Sequence, residues 1–486
     1  MQAQRLRSLR RKSLHARSVS LKDHGEIEMA KQKSAASTVN QITEGVIWKQ
    51  LLLFFFPILF GTFFQQLYNT TDAVIVGNFV GKEALAAVGG PAATIINLLV
   101  GFFVGLSSGA GVIISQYYGS GEHKRLSDAV HTAFALSIAG GAAMMVLGIA
   151  AAKSALELMN TPEDILDASV AYMRVYFLGM IPSMLYNMGA AILRAVGDSR
   201  RPLYFLMASC LINIVLDLIF VVALRMGVVG VGIATALSQV VSAFMTLFVL
   251  LRTGESYRLE IPRIRFQKHL LESILMIGLP AGVQSAMYSI SNLVIQSAIN
   301  GYGTDTVAAW TAFGKVDSFF WMIMTAYGIA VTTFAGQNFG AGKIERVHKS
   351  VKVCLFMAAG TSIFFSFLVI YGGPVILLLF TQDRTVIDIC MGMIRIVSPA
   401  YITYICIEIL SGACRGCGDA IRPMVLTCFG VCVLRIVWVA LTGAFFPSIA
   451  AISFSYPLTW TITSILFIIY YRRGKWRTRA LYQEHV

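Results

Sequence analysis

The sequence predicts an all-α polytopic membrane protein, with twelve transmembrane helices in two repeated six-helix bundles. Three observations predict it. Composition is the first: of 486 residues, 56% are hydrophobic and only 13% charged, with a mean hydropathy of +0.70, whereas a soluble domain is about 25% charged. The second is a series of apolar runs, each able to supply the roughly 20 residues that a spanning helix needs. The third is an internal repeat at a nearly constant offset. Together they exclude a secreted mini-protein, a collagen and a disordered chain. An outer-membrane barrel is excluded as well, because its strands alternate and these runs do not.

Taken in order, residues 1–46 are polar and basic, with no apolar core. They are expected to form a cytoplasmic N-tail, neither a secretory signal nor a span. Met29 would itself make a plausible start, which would leave residues 1–28 as an extension. Spans are then expected near 47–75, 84–115, 128–152, 168–193, 203–224 and 229–251. After a basic linker they resume near 269–299, 306–335, 350–380, 388–413, 423–443 and 448–471. Residues 473–486 form a basic C-tail.

The net charge of +14 does not signal a nucleic-acid partner, which would require a basic patch on a soluble domain. Most of the Lys and Arg fall in the N-tail, in every second loop and in the C-tail. The alternate loops hold Lys82, Lys153, Arg225 and Arg384 and are relatively acidic, with Glu83, Glu163, Asp164, Asp167, Asp305, Asp383 and Asp388. That bias predicts an even number of spans with both termini cytoplasmic. The eight cysteines lie in or beside apolar runs and give no disulfide framework. Cys414-x-x-Cys417 has no second ligand pair to complete a zinc site.

The repeat is the most informative feature. Arg194-x-x-Gly197-Asp198-x-x-Arg201-Pro202 recurs as Arg415-x-x-Gly418-Asp419-x-x-Arg422-Pro423. Gln116-x-x-Gly119-x-Gly121 recurs as Gln337-x-x-Gly340-x-Gly342. Pro57 is answered by Pro280, and Gly81-x-Glu83-x-x-Ala86-Ala87 by Gly303-x-Asp305-x-x-Ala308-Ala309. The expected organisation is an N-lobe over 47–252 with the first six spans, a cytoplasmic linker over 253–268, and a C-lobe over 269–472 with the last six. An even span count per half gives both halves one orientation, a common plan for transporters with a midplane cavity.

Ionisable residues inside spans point to function. Asp72 follows Gln65, Tyr68 and Asn69 in the first span. Asp217 lies four residues after Asn213, hence on the same helix face. With Thr235 in the next span they offer carboxylate, amide and hydroxyl oxygens, which suit a proton or a hard cation such as Na⁺. At the equivalent offset, Asp217 falls on Trp438, Asn213 on Leu434 and Asp72 near Val294 or Ile295. The cluster is thus peculiar to the first lobe. In the second, Lys315, Asp317, Arg395, Glu408 and Arg435 are expected to pair with other helices, or Asp317 to meet a substrate cation. The Arg-x-x-Gly-Asp repeats are expected to be structural: Gly ends one helix, Asp caps the next and Pro suits its first turn. Pro57 sits mid-span, where it deletes a backbone bond and permits a kink.

No nucleotide-binding or zinc-protease motif occurs. Without a nucleotide-binding domain, transport would draw on an ion gradient. The expectation is no enzyme, no cofactor, no metal beyond a possible Na⁺ at the coupling site and no nucleic-acid partner.

On these residues the chain resembles bacterial transporters of the multidrug and toxic compound extrusion (MATE) family, in the MOP superfamily. The likeness covers about 45–472. It rests on the duplicated halves, Tyr68-Asn69-x-x-Asp72-x-x-x-Val76-Gly77, Ser115-Gln116-Tyr-Tyr-Gly119-x-Gly121, Gly336-Gln337-Asn-x-Gly340-x-Gly342 and both Arg-x-x-Gly-Asp repeats. The resemblance implies a multi-pass antiporter in the bacterial inner membrane, surrounded by lipid and acting as a monomer, that exports organic, often cationic, compounds against H⁺ or Na⁺. It implies a cation site at Asp72, Asn213, Asp217 and Thr235, a hinge at Pro57, and cavity positions at Gln65, Tyr68 and Asn187. Where some members carry a seventh-span acid, this chain has Tyr288, which favours an N-lobe mechanism. The competing reading is a flippase or exporter of a lipid-linked or other amphipathic metabolite, which would call for a strongly basic central cavity.

Overall fold

The computed structural model describes residues 41–474 and 476. The tails expected at 1–46 and 473–486 therefore lie outside the described residues, apart from 41–46, 473–474 and 476. In the first half the helices are α1 (Gln41–Glu44), α2 (Ile47–Phe79), α3 (Lys82–Gly89), α4 (Pro91–Ser120), α5 (His123–Leu158), α6 (Glu163–Leu178), α7 (Met180–Ala195), α8 (Arg200–Asp217) and α9 (Gly227–Arg252). In the second they are α10 (Lys268–Asn300), α11 (Thr304–Gly340), α12 (Ile344–Leu377), α13 (Arg384–Val397), α14 (Tyr401–Gly416), α15 (Ile421–Thr427), α16 (Leu434–Phe445) and α17 (Ile449–Arg473). No strand occurs among the described residues. Eleven helical stretches there are long and apolar enough to cross a membrane, and the pair α6–α7, bent by 51°, makes twelve.

Several spans are broken where local chemistry requires it. The second divides at Gly90, with Pro91 opening α4, a position that needs no backbone N–H. The fourth bends at Gly179, and the tenth is interrupted by the 3-10 turn Ser398–Ala400 around Pro399. The fifth and eleventh carry π turns at Leu218–Ala223 and Cys428–Val433. By contrast α2 runs unbroken through Pro57.

The repeated motifs take matching shapes. Gly197 (φ +98°) and Gly418 (φ +92°) end α7 and α14 in the left-handed region, where a side chain would be strained. Asp198 then accepts from the backbone N–H of Arg200 and Arg201, both at 3.1 Å, and starts α8.

The halves meet mainly through α4, which crosses α10 antiparallel and also packs on α11. Glycine makes this crossing possible, since Gly105 faces Gly282 and Gly109 faces Gly278. Small residues four apart allow two membrane helices to approach to backbone contact. Near the basic loops the halves interlock. Gln116 Nε2 donates to the Gly416 carbonyl at 2.8 Å, and Gln337 Nε2 donates to that of Ala195 at 2.7 Å. Gly119 lies against the Gln337 backbone and Gly340 against that of Gln116. A strap adds to this closure: Arg346 Nε and Lys343 Nζ donate to the Ile42 and Thr43 carbonyls at 3.1 and 3.2 Å. The side carrying the basic loops is therefore shut.

Helix α2 belongs to both halves. Around Pro57 its side chains join the second-half core, with Phe55 stacked on Tyr327 at 4.2 Å. Beyond Gly61 it packs on α8, and Asp72, Ile75 and Val76 are buried in the first half.

Candidate functional site: a buried carboxylate cluster and a two-compartment cavity

Three helices build the first site. Asp72 comes from α2, Asn213 and Asp217 from the end of α8, and Thr235 from α9; all four are buried. Thr235 Oγ1 donates to Asp72 Oδ2 at 3.5 Å, and the Asp72 side chain also faces Asp217 and Asn213. Tyr68, one turn before Asp72, points to the same place, beside Thr235 and Ser238. The π turn begins directly after Asp217, and such turns recur at functional sites because they re-aim side chains.

Hydrogen bonding at this site is strikingly incomplete. Asp72 Oδ1, both Asp217 oxygens, both Asn213 amide atoms and the Tyr68 hydroxyl are buried without a partner among the described residues. A buried polar group without a partner costs about 1–3 kcal/mol, and a charged one more. Carboxylate, amide and hydroxyl oxygens gathered on so little compensating charge fit a small hard cation or a shared proton. No group of three or more His, Cys, Asp or Glu able to hold a metal occurs among the described residues.

The second half builds a different kind of site. A cavity of about 490 Å³ is walled by Trp310, Phe313, Trp321, Tyr404 and Tyr456 and carries Asp317, Glu408 and Arg435. Asp317 accepts from Trp321 Nε1 at 2.6 Å and from the Tyr401 hydroxyl at 2.7 Å. Glu408 accepts from Tyr404 at 3.0 Å. Arg435, 2% exposed, lies over the Tyr456 ring at 4.1 Å, so its charge is met by π faces. A second cavity of about 300 Å³ lies between the halves and shares Tyr288, Thr325 and Glu408 with the first. Glycine, serine and threonine from α4 and α11 line it, and Arg194 and Arg415 close one end.

The MatE family model matches this chain twice, over residues 57–219 and 280–441. The chain belongs to the MatE family. It is a transporter, not an enzyme. It is 27% identical to the probable multidrug resistance protein YoeA of Bacillus subtilis over 448 residues, covering 87% of this chain and 96% of that one. To YpnP of the same organism, also a probable multidrug resistance protein, it is 28% identical, covering 91% and 98%. A solved outward-facing multidrug resistance MATE transporter superposes with a TM-score of 0.84 at 22% identity, covering 90% of this chain and 97% of that one.

Within this MatE transporter, the structure brings Asp72, Asn213, Asp217 and Thr235 together and adds Tyr68 to them. Asn187 lines the central cavity, its Nδ2 donating to the Ser183 carbonyl at 2.9 Å, and Asp317 lines the aromatic one. Gln65 is exposed on α2 and lines neither. Helix pairing of the second-half charges needs correction for two of them: Lys315 and Arg395 are exposed and form no ion pair among the described residues. Asp317 and Arg435 do meet other helices, Asp317 through Tyr401 and Arg435 through Tyr456 and Thr459. Sequence reasoning missed the aromatic walls and the arginine end, because their residues come from helices far apart in the chain. It also passed over Gly101-x-x-x-Gly105-x-x-x-Gly109 and Gly278-x-x-x-Gly282, a spacing that signals close helix contact.

Proposed function

We propose that this MatE transporter is a secondary active antiporter of the bacterial inner membrane, exporting organic cations in exchange for H⁺ or Na⁺. In this reading both termini and the basic loops are cytoplasmic, so the closed side is the inner one and the conformation is outward-facing. The observation that carries the reading is the set of partnerless buried oxygens on Asp72, Asn213 and Asp217. Such a set is stabilised by a bound cation or proton and destabilised without one. Cargo would occupy the aromatic cavity, where ring faces and the Asp317 carboxylate attract a cationic nitrogen.

Helix α2 supports a coupling route. It carries Asp72 in the first half and is anchored in the second around Pro57, a residue that removes one intrahelical bond. Ion occupancy at Asp72 can then bias how the halves sit, with Pro57 as the hinge. An ion expels cargo only if the two differ in affinity for a shared state. A membrane potential of 100 mV supplies about 2.3 kcal/mol per elementary charge.

Purified protein in liposomes, loaded with a fluorescent organic cation, tests this directly. A sudden inward H⁺ or Na⁺ gradient should drive dye movement, and only one of the two ions should suffice. Dye movement indifferent to both gradients would remove the antiport reading.

A further inference from the structure

The arginine end of the central cavity calls for a ligand that an organic cation alone does not supply. Arg194 and Arg415 occupy equivalent places in the two repeats, each in the last turn of its helix. There they complement the helix dipole, which explains why a base stands at each position. It does not explain why both line one cavity. Neither forms an ion pair among the described residues, and Arg415 Nε is buried without a partner. The one acid lining the same cavity, Glu408, accepts from Tyr404 and also faces Arg415.

These arginines also sit on the interlock. Arg194 precedes Ala195, whose carbonyl holds Gln337, and Arg415 precedes Gly416, whose carbonyl holds Gln116. Guanidinium groups present planar pairs of donors that match a carboxylate or phosphate. At the other end of the joined cavities stand Asp317, Arg435 and the aromatic walls, with Glu408 shared between the two. The combined space is aromatic, with a carboxylate, at one end and carries a pair of arginines at the other.

We infer that Arg194 and Arg415 form an anion subsite at the floor of the central cavity, receiving the carboxylate or phosphate of a zwitterionic aromatic cargo whose cationic end lies toward Asp317. The inference rests on the cargo reading of the cavity and narrows it: the preferred substrates carry both charges. Cargo anchored there touches the residues beside the cytoplasmic closure, so its arrival and departure bear on the seam that must open.

The test uses the full-length protein in phosphatidylcholine nanodiscs and two probes, a rhodamine with a free benzoate and the same dye as its ethyl ester. Binding is followed by fluorescence polarisation. The acid should bind about tenfold more tightly than the ester, the scale of one charge-assisted pair. Arg194→Gln with Arg415→Gln should abolish that preference while the cationic ester, relieved of two like charges, binds no more weakly than to wild type, which also shows that the variant is folded. Arg194→Lys with Arg415→Lys should keep part of it. Free benzoate should displace the acid from wild-type protein and not the ester, a result that depends on no variant. The difference between wild type and the Gln variant should persist in phosphatidylglycerol discs; its loss there would assign the subsite to a lipid headgroup and overturn the cargo. A full acid preference in the Gln variant, or no competition by benzoate, overturns the subsite while leaving export of cations intact. If wild-type protein binds neither dye, the cargo reading of the cavity falls and the subsite with it.

Discussion

Gln116 and Gln337 occupy equivalent positions in the two repeats, and each donates its side-chain amide to a backbone carbonyl of the opposite half, at Gly416 and Ala195. Those acceptors are also equivalent, so the repeat forms a crossed pair of bonds about its own pseudo-twofold axis. Both glutamines are buried. The bonds must break whenever the cytoplasmic side opens, which makes them part of the balance between two conformations.

A first prediction follows for that balance. Each bond is worth about 1 kcal/mol net, so Gln116→Ala with Gln337→Ala should shift the equilibrium away from the closed inner side by roughly thirtyfold. Spin labels at Ser120 and Ala341, beside the interlock, would report the population. An unchanged distance distribution would show that other contacts hold the seam.

The glycine seam gives a second. A Cβ at Gly109 would stand 2.5 Å from the Gly278 nitrogen and the Ile274 carbonyl, both backbone atoms that cannot rotate aside. Gly109→Leu should therefore prevent closure of the inner side and abolish export while each half stays folded. In a cysteine-free background, a cysteine at Ser115 should become reactive to a membrane-impermeant maleimide applied from the inner side. Retained export would mean that α4 and α10 can separate without loss.

Much of this was legible in the sequence, for physical reasons. Spanning helices announce themselves by length and hydropathy alone. Duplicated motifs such as Arg194-x-x-Gly197-Asp198 and Arg415-x-x-Gly418-Asp419 align the halves because each needs the same left-handed glycine after the same helix. The acid cluster was legible because Asn213 and Asp217 are one turn apart and intramembrane charge is rare. That the Tyr68 hydroxyl turns to this cluster rather than to the cargo cavity was not, because tertiary packing beside Thr235 and Ser238 decides it. Nor was the fate of Asp317 visible, since Trp321 is one turn away but Tyr401 belongs to another span. Lys315 looked like a pairing residue only because a sequence does not say which face of a helix is exposed.

A third prediction concerns the coupling carboxylates. Asp217→Asn keeps the shape and one oxygen of the side chain and removes its charge. It should abolish gradient-driven export while insertion and thermal stability remain near wild type. Stability is not expected to fall, because neither Asp217 oxygen has a hydrogen-bond partner to lose. A wild-type efflux rate in this variant would sink the assignment.

The last prediction sets the two halves against each other. Asp72 stands in a cluster that the second repeat does not possess, whereas Asp317 and Glu408 are held by aromatic donors around a cavity large enough for an organic molecule. If ion binding resides in the first cluster and cargo in the second cavity, removing acids from each should have unlike consequences. Asp72→Asn deletes a charge that α2 carries between the halves, so the response to an imposed H⁺ or Na⁺ jump should vanish. Asp317→Asn weakens an acceptor of two short hydrogen bonds, and Glu408→Gln exchanges a carboxylate for a neutral amide beside Tyr404. Both should change which compounds are exported, by roughly tenfold for those relying on a buried charge pair, and should still respond to the ion jump. The three variants are compared in one set of proteoliposomes, with several dyes and both gradients. Should the second-half variants lose the gradient response while Asp72→Asn keeps it, the coupling site belongs to the other bundle, and Tyr288, Tyr404 and Glu408 become the residues to rebuild it from.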